Sequence, residues 1–215
     1  YSNPIWALRK TFAPGTECPF SDRALDRDLD SLPDICDQFP EQPGGGNWTR
    51  VFGGTEVDQA TASAIDGGNN VWVVGTVRQN VWIEGATGTS GTTSGTTTAN
   101  GVDSVVLEYS PTGRLLGRAQ VGGAGTATIT DIAIRDNAVY ITGTSEGAFA
   151  FGGFSWTSTT RDPFVARLRR SDLGVELVTR FPSNGQREVR AIAVGGGQIG
   201  SVQIAVLGDF SGTWS

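Results

Sequence analysis

Apolar and polar residues alternate along five short stretches of this chain, at residues 70–74, 104–109, 139–142, 164–169 and 203–207. Successive side chains of a β-strand point to opposite faces of its sheet, so a period of two is typical of half-buried strands. Turn residues, above all glycine, follow several of these stretches. The pattern predicts an all-β protein in which no helix longer than a couple of turns follows Asn47.

The strand pattern occurs three times along the chain. The segment Trp48-Thr-Arg-Val-Phe-Gly-Gly and an alternating run precede an apolar strand that ends at Gly75, and related segments precede Gly143 and Gly208. These glycines are spaced 68 and 65 residues apart, which suits a four-stranded sheet with loops better than one turn of a solenoid. Each complete copy is therefore predicted to supply four short strands.

The order of the motifs resembles a family of bacterial β-propeller repeats of the seven-bladed type. The pattern is W-x-x-x-F-G-G, A-I-x-D, G-N-x-V-x-V-x-G-T and D-x-F-V-A-(K/R)-L, over about residues 47–215. The resemblance implies four-stranded antiparallel blades that stack radially, because one blade cannot cover its own apolar face. Paired glycines at 53–54 and 122–123 are expected to allow close approach or positive φ where blades crowd together.

The third copy stops at Ser215, before its D-x-F-V element, so we expect two complete blades and one partial blade. Closed propellers have four to eight blades, and an open sheet edge exposes unpaired backbone groups. Further blades or another protein chain are therefore expected to cover the open edge.

Composition restricts the function classes that suit such a fold. The chain has no histidine, which removes the commonest general base and the histidine-based nucleophile and metal sites. The net charge of −6 argues against nucleic acid as a partner, because phosphate contacts need a basic surface. No stretch has the apolar length of a transmembrane segment. We expect a protein that is not an enzyme.

The remaining candidates for chemistry in the blades are carboxylates and aromatic rings. The carboxylates are Asp58, Asp66, Asp103, Asp131, Asp136 and Asp162. Asp103 and Asp162 occupy the same place in two copies, which favours capping of turns or bonds to backbone amides over catalysis. Trp72, Trp82, Tyr140, Phe149, Phe151 and Trp156 are either a sugar-binding platform or, as strand spacing favours, core residues. The Gly/Thr-rich residues 85–101 are typical of a mobile loop, with a glycosylated or partner-contacting loop as the alternative.

An acidic segment precedes the blades. Asp26, Asp28, Asp30, Asp34 and Asp37 fall at positions 1, 3, 5, 9 and 12 of a loop, where a curled backbone turns carboxylates inward. The carbonyl of Leu32, near position 7, adds an oxygen, so the spacing predicts a Ca²⁺ site, with Mg²⁺ the weaker candidate. The competing interpretation is a solvated acidic linker.

The same segment resembles a thrombospondin type 3 repeat over residues 18–40, with Ser31 where that pattern has glycine and Phe39 where it has a second cysteine. Cys18 and Cys36 flank the acidic loop, and a disulfide between them would hold it closed. Two free thiols of a cytosolic protein are the alternative. A bridged cysteine pair beside a calcium loop implies an extracellular, periplasmic or cell-surface location.

These predictions divide the chain into residues 1–46, which end in a glycine hinge, and propeller blades at residues 47–215. Residues 5–12 are predicted either as an isolated strand resembling the Trp48 strand or as a tail lying on the domain. The expected function is an extracellular, non-catalytic structural scaffold that presents its loops to a protein or polysaccharide partner. The alternative is a polysaccharide-degrading propeller enzyme, which an open cleft with two facing carboxylates near Asp58 or Asp131 would favour.

Overall fold

A computed structural model of the chain describes residues 5–10, 47–78, 80–84, 90–94, 101–182, 187–196 and 202–210. Strands, turns and short connections make up these residues, and none of them is helical, which confirms the prediction of an all-β fold. Within these ranges there is accordingly no helix long and apolar enough to cross a membrane. The strands are β1 (Ile5–Lys10), β2 (Asn47–Gly53), β3 (Gln59–Ile65), β4 (Val71–Val77), β5 (Asn80–Glu84), β6 (Ser90–Ser94), β7 (Asp103–Tyr109), β8 (Leu115–Val121), β9 (Thr126–Arg135), β10 (Ala138–Phe151), β11 (Phe154–Arg169), β12 (Val175–Arg180), β13 (Arg187–Gly196) and β14 (Val202–Phe210).

The strands form four antiparallel sheets. Sheet A has the order β1-β2-β5-β6, sheet B the order β3-β4-β7-β8, and sheet C the order β9-β10-β11-β12. Sheet D pairs β13 with β14. Sheets B and C have the four antiparallel strands that were predicted for one unit, but the sheets and the sequence copies are out of phase. The strand that opens each sequence copy, β2, β8 or β12, is a strand of the preceding sheet, A, B or C.

The sheets pack face to face in the order A, B, C, D, and the central strands explain why. In β4, Val71 and Val73 lie in the core shared with sheet A, whereas Trp72 and Val74 lie in the core shared with sheet C. A strand buried on both faces has no polar side, which is why β4 reads as a nearly continuous apolar run. The largest core, between sheets B and C, adds Ile129, Ile141, Phe149, Phe164 and Leu168. Burial on both faces therefore joins successive sheets into one stack.

Sheets B, C and D carry a β-bulge at the same place. The first strand of each sheet has one extra residue opposite the glycine that marks the repeat. The extra residues are Thr61, Thr130 and Arg190, and the facing glycines are Gly75, Gly143 and Gly208. A side chain on any of these glycines would run into a backbone carbonyl of the first strand, 2.5 Å away at Gly75. The repeated glycine is thus required by the bulge.

Strand β1 pairs with β2 along its whole length, from Ile5 opposite Phe52 to Lys10 opposite Asn47. Of the two predictions for this stretch, the strand is correct and the tail is wrong. The strand is not isolated, because it forms the edge of sheet A. Lys10 and Asn47, which flank the connection that contains the acidic segment, therefore lie side by side.

The hairpin that follows the second strand of sheet B, and the one that extends the second strand of sheet C, each pair with the preceding sheet. In sheet A, β5 pairs with β2 at Phe52 and Gly53, and in the next copy Gly122 pairs with Ala150 of the extended β10–β11 hairpin. Gly53 and Gly123 have φ of 149° and 152°, which confirms the expectation for the paired glycines. Within the Gly/Thr-rich residues 85–101, Ser90–Ser94 form strand β6, which pairs with β5.

Candidate functional site

The predicted calcium ligands Asp26, Asp28, Asp30, Leu32, Asp34 and Asp37 lie outside the described residues, as do Cys18 and Cys36. Both predictions therefore stay predictions. In the part of the chain that the structure describes, no three acidic, cysteine or histidine side chains lie close enough together to hold a metal ion.

A polar pocket of about 320 Å³ opens between sheets C and D. It lies where the bulges of β9 and β13 face the second strands of their sheets. The residues that line it are Thr128, Thr130, Thr144, Arg161, Glu188, Val189 and Arg190. The pocket therefore lies beside both bulges, whose extra residues, Thr130 and Arg190, are among those that line it.

Threonine hydroxyls form the wall of the pocket on the side of sheet C. The hydroxyls of Thr128 and Thr144 are hydrogen-bonded to each other across β9 and β10 at 2.9 Å. The Thr130 hydroxyl donates to the carbonyl oxygen of Thr142 at 3.2 Å, as Thr61 does to Val74 in sheet B. The threonine hydroxyls are thus oriented by hydrogen bonds within sheet C.

Two arginines and a glutamate form the charged rim. Arg161 of sheet C and Glu188 of sheet D form an ion pair at 3.2 Å, and Arg190 lies 3.8 Å from the same carboxylate. Arg190 also binds Asp209, and this hydrogen bond raises the pKa of its guanidinium. The charges nearly cancel, so the pocket offers hydroxyls and paired charges, a combination that suits a neutral ligand rich in hydroxyl groups.

The two aspartates near which a catalytic cleft was considered bind backbone amides. One oxygen of Asp58 accepts from the amide of Gly54 and the other from the amide of Arg78 at 2.9 Å. Asp131 accepts from the amide of Ile132 at 2.9 Å and, across the gap to sheet D, from the amide of Ile192 at 2.8 Å. Both oxygens of each carboxylate are engaged, so these aspartates fix backbone positions.

Asp66 joins sheets B and C. One oxygen accepts from the amides of Gly68 and Asn70 in the β3–β4 turn. The other accepts from the indole nitrogen of Trp72 at 2.9 Å and forms an ion pair with Arg170 of sheet C at 2.6 Å. Asp66 therefore ties a turn, a core tryptophan and the neighbouring sheet together, whereas Asp136 is exposed and pairs only with Arg135 among its described neighbours.

Asp103 and Asp162 occupy equivalent places, as the repeat implies, but their pKa values are shifted in opposite directions. Asp103 accepts from the Gln120 amide and the backbone amide of Gly123, and burial raises its pKa despite these bonds. Asp162 accepts from two hydroxyls and from Arg180, which contacts it at 2.8 and 2.6 Å. Burial opposes ionisation of Asp162 as well, but these hydrogen bonds outweigh it and lower the pKa. Of the two expected roles, capping a turn or bonding backbone amides, Asp103 has the second through the Gly123 amide, and the hydrogen bonds described above for Asp162 come from side chains.

The aromatic residues considered as a sugar platform are mostly core residues. Trp72, Tyr140, Phe149 and Phe151 are buried, and Trp156 stacks on Phe149 with ring centroids 3.9 Å apart. The side chain of Trp82 lies outside the described residues. The interpretation of these rings as core is confirmed for the five that the structure describes.

Sequence reasoning missed the residues of the pocket, above all Arg161, Glu188 and Arg190. The position is marked by the extra residue of each bulge, Thr130 in β9 and Arg190 in β13, beside the repeated glycine of the facing strand. The pocket residues Thr128 and Glu188 lie two positions before these extra residues. Spacing alone does not reveal a bulge, because an inserted residue looks like one more step of the alternation.

Comparison of the sequence with known protein families and with curated proteins found no match.

Proposed function

We propose that this chain is an extracellular, non-catalytic scaffold of β-propeller type, stabilised by Ca²⁺, that presents its surface to a partner in a cell-surface assembly. The observation that carries the proposal is the use of the carboxylates. Asp58, Asp66, Asp131 and Asp162 all hold turns, strands or neighbouring sheets in place. Carboxylates whose oxygens are already bonded within the fold are poor acids, bases or nucleophiles, so their role here is to stabilise the fold.

The stacking of the sheets supports the propeller architecture. Sheets B and C are buried on both faces, and they share the bulge and the glycine that recur in sheet D. Neighbouring four-stranded antiparallel sheets that bury their faces on each other are the arrangement by which propeller blades remove exposed apolar surface. Sheets A and D lie at the two ends of the stack.

The surface offered to a partner lies on sheet D. Strand β14 forms one edge of that sheet in the described part of the chain and carries exposed apolar side chains, with Leu207 67% exposed. Backbone donors and acceptors beside apolar side chains favour a protein strand as the partner. The polar pocket between sheets C and D suits hydroxyl groups and supports a polysaccharide as the second kind of partner.

The acidic segment is proposed as a calcium module anchored in sheet A. The segment belongs to the connection between β1 and β2, which are neighbours in sheet A with Lys10 paired to Asn47. A long connection of this kind adds chain entropy that a bound ion and a disulfide would reduce. Asp26, Asp28, Asp30, Asp34, Asp37 and the Leu32 carbonyl are the proposed ligands, with a proposed Cys18–Cys36 disulfide.

A polysaccharide-degrading enzyme is the alternative, and the rim of the pocket is where it would act. Glu188 and Asp209 both border this region, but the side chain of each is held in an ion pair with an arginine. A glycosidase needs two carboxyl groups that face the substrate at a defined separation. Carboxylates that are held by arginines favour binding over hydrolysis.

The two functions are distinguished by one set of assays on the full chain. Soluble acidic and neutral polysaccharides are tested for retention of the protein in affinity gels and for release of reducing ends. Chemical cross-linking on the cell surface tests in parallel for a protein partner. We expect a cross-linked protein or retention on a polysaccharide, without release of reducing ends.

Matched variants locate the effect. Arg161→Ala should weaken any polysaccharide retention, whereas Arg114→Ala, an exposed arginine between β7 and β8, should leave it unchanged. If the protein releases reducing ends and Glu188→Gln abolishes this activity, the scaffold proposal is rejected in favour of the polysaccharide-degrading enzyme. Failure to find any retained polysaccharide or cross-linked protein would reject the scaffold.

A further inference from the structure

We propose that the pocket between sheets C and D holds one neutral sugar residue, bound by the threonine hydroxyls of its wall and the arginines and glutamate of its rim. Such a pocket recognises a terminal or branch residue of a polysaccharide rather than a run of linked residues. This inference rests on the scaffold function proposed above and names the ligand class of its polysaccharide contact.

The size of the pocket suits a single sugar ring. Its volume of about 320 Å³ lies at the lower end of the range of about 300–1,000 Å³ that is typical of small-molecule sites. The lining residues come from β9, β10 and β11 of sheet C and from β13 of sheet D. The pocket is therefore a gap between two neighbouring sheets and not a groove across several of them.

The pocket changes from an enclosed floor to an open rim. Thr144 and Val189 are each 5% exposed, and Thr128 and Thr130 are half-buried. The charged side chains of the rim are 41–62% exposed, so a ligand can reach them from solvent. A pyranose ring has apolar C–H faces and hydroxyl groups around its edge. A buried valine beside threonine hydroxyls offers a contact to each of these surfaces.

The threonine hydroxyls retain hydrogen-bonding capacity for a ligand. A hydroxyl group has one donor and two acceptor positions. The bond between the Thr128 and Thr144 hydroxyls uses the donor of one and an acceptor of the other. The Thr130 hydroxyl donates to the Thr142 carbonyl and keeps its acceptor positions. The wall therefore offers donors and acceptors together, as sugar hydroxyls do.

The rim presents guanidinium and carboxylate groups side by side. One oxygen of Glu188 lies 3.2 Å from Arg161, and the other lies 3.8 Å from Arg190, which also binds Asp209. Two arginines thus face two carboxylates, and no surplus positive charge remains to attract an anion. A guanidinium donates to neighbouring hydroxyl groups and a carboxylate accepts from them. The rim therefore favours a neutral sugar over a uronic acid.

The corresponding gap between sheets B and C is bridged at this place. Val102 of sheet B pairs with Thr126 of sheet C, and the Ser104 hydroxyl bonds two backbone groups of β9. The repeat places Arg161 and Pro163 of sheet C at the positions of Val102 and Ser104. Proline has no hydroxyl to form the second link, and the arginine brings a charged group to the rim. The sequence of β11 therefore distinguishes the gap between sheets C and D from the one before it.

The test measures binding of single sugars to the full chain by saturation-transfer NMR titration. The probes are methyl glycosides of neutral hexoses, 6-deoxyhexoses and N-acetylhexosamines, with the matching uronic acids. We expect at least one neutral glycoside to bind and its uronic acid to bind about tenfold more weakly. An oligosaccharide that ends in the same residue should bind with an affinity within about tenfold of the single sugar, since only one ring enters the pocket.

Matched variants locate the sugar. Thr130→Val should weaken binding about tenfold, because the ligand loses a hydrogen bond to the wall. Thr61→Val is the control, since Thr61 makes the same bond to a backbone carbonyl in sheet B but does not line the pocket. Arg161→Ala should weaken binding by about tenfold or more, because this bond comes from a charged group.

Three results would overturn the proposal: no binding of any neutral glycoside by the wild type, tighter binding of the uronic acids, or equal losses in Thr130→Val and Thr61→Val. Polysaccharide retention and cross-linking to a protein are measured separately on the same variants. If no single sugar binds but retention or cross-linking persists, the sugar pocket is rejected and the scaffold stands. If these are absent as well, both proposals are rejected.

Discussion

The Asp162–Arg180 pair permits a sharp test of how the repeat uses its carboxylates. The Asp162 carboxylate is fully buried, whereas the Arg180 guanidinium is 28% exposed. The guanidinium contacts one carboxylate oxygen through both Nε and Nη2, and Ser158 and Thr160 donate to the carboxylate as well. Asp162→Asn keeps the shape of the side chain but removes the charge and turns one acceptor into a donor.

The expected cost follows from these contacts. Hydrogen bonds to charged groups contribute about 1.5–3 kcal/mol, and breaking a fully buried ion pair costs about 3–5 kcal/mol. Because Arg180 retains contact with water, the upper range does not apply. We therefore expect Asp162→Asn to lower the free energy of unfolding by about 2–3 kcal/mol at pH 7.

Asp103→Asn is the matched control, since Asp103 has the same place in sheet B but no arginine among its described hydrogen-bond partners, Gln120 and Gly123. The amide oxygen of asparagine can still accept from Gln120, and the bond from the Gly123 amide is long at 3.3 Å. We expect a cost of about 1 kcal/mol or less at pH 7. The difference between the two substitutions isolates the contribution of the arginine.

The pH dependence should have opposite signs. The pKa of Asp162 is lowered in the folded protein, so its contribution is present above the ordinary value of 3.8 and is lost as the pH falls through the folded value. The deficit of Asp162→Asn should shrink in acid. The pKa of Asp103 is raised, so its contribution is greatest below 3.8 and falls as the pH rises. The deficit of Asp103→Asn should therefore grow in acid.

Urea unfolding of the wild type and both variants, followed by circular dichroism at pH 7 and near pH 3, measures all four differences. Equal costs at pH 7 would refute the role given to Arg180. A deficit of Asp162→Asn that is as large near pH 3 as at pH 7 would refute the electrostatic reasoning.

Three further predictions concern the glycines and the proposed ion. Gly143→Ala should cost about 3 kcal/mol or more in the same assay, because the new Cβ would overlap the Thr128 carbonyl, while Gly195→Ala, with nothing within 4 Å, should be nearly neutral. Gly113→Ala should cost about 2–3 kcal/mol, since the residue has φ of 76° and its Cβ would lie 2.7 Å from Cγ of Trp48; an unchanged unfolding midpoint would contradict this. Chelation or Asp28→Ala should increase proteolysis within residues 18–40 and leave sheets B and C folded, with exposed Asp172→Ala as the control; absence of millimolar Ca²⁺ binding in calorimetry would reject the site.

The sequence predicted the strands and the repeat because both follow from local, periodic signals. Strands β4 and β10 lie where the apolar runs ending at Gly75 and Gly143 predicted them. The distance between these glycines gave the size of a four-stranded unit, and sheets B and C have that size. Alternation and period require no knowledge of which strands are neighbours in space.

Long-range pairings were not predictable in the same way. The hydrogen bond between Asp131 and the Ile192 amide joins residues in different sheets, and neither residue type predicts that the other is its partner. The pairing of β1 with β2 spans the acidic segment, so its strand character was visible while its place in sheet A was not. The pocket depends on both a bulge and a neighbouring sheet, which explains why Arg161 and Glu188 were missed.

The contacts between sheets assign different tasks to apolar and polar residues. The core between sheets B and C supplies most of the driving force, but apolar contacts are non-directional and tolerate sliding of one sheet over the other. The Ser104 hydroxyl donates to the Ala127 carbonyl at 3.0 Å and accepts from the Ile129 amide at 2.8 Å, which permits only one offset between these sheets. Asp131 performs the same task between sheets C and D through the Ile192 amide. Hydrogen bonds from Ser104 and to Asp131 therefore select the position of each sheet on the next.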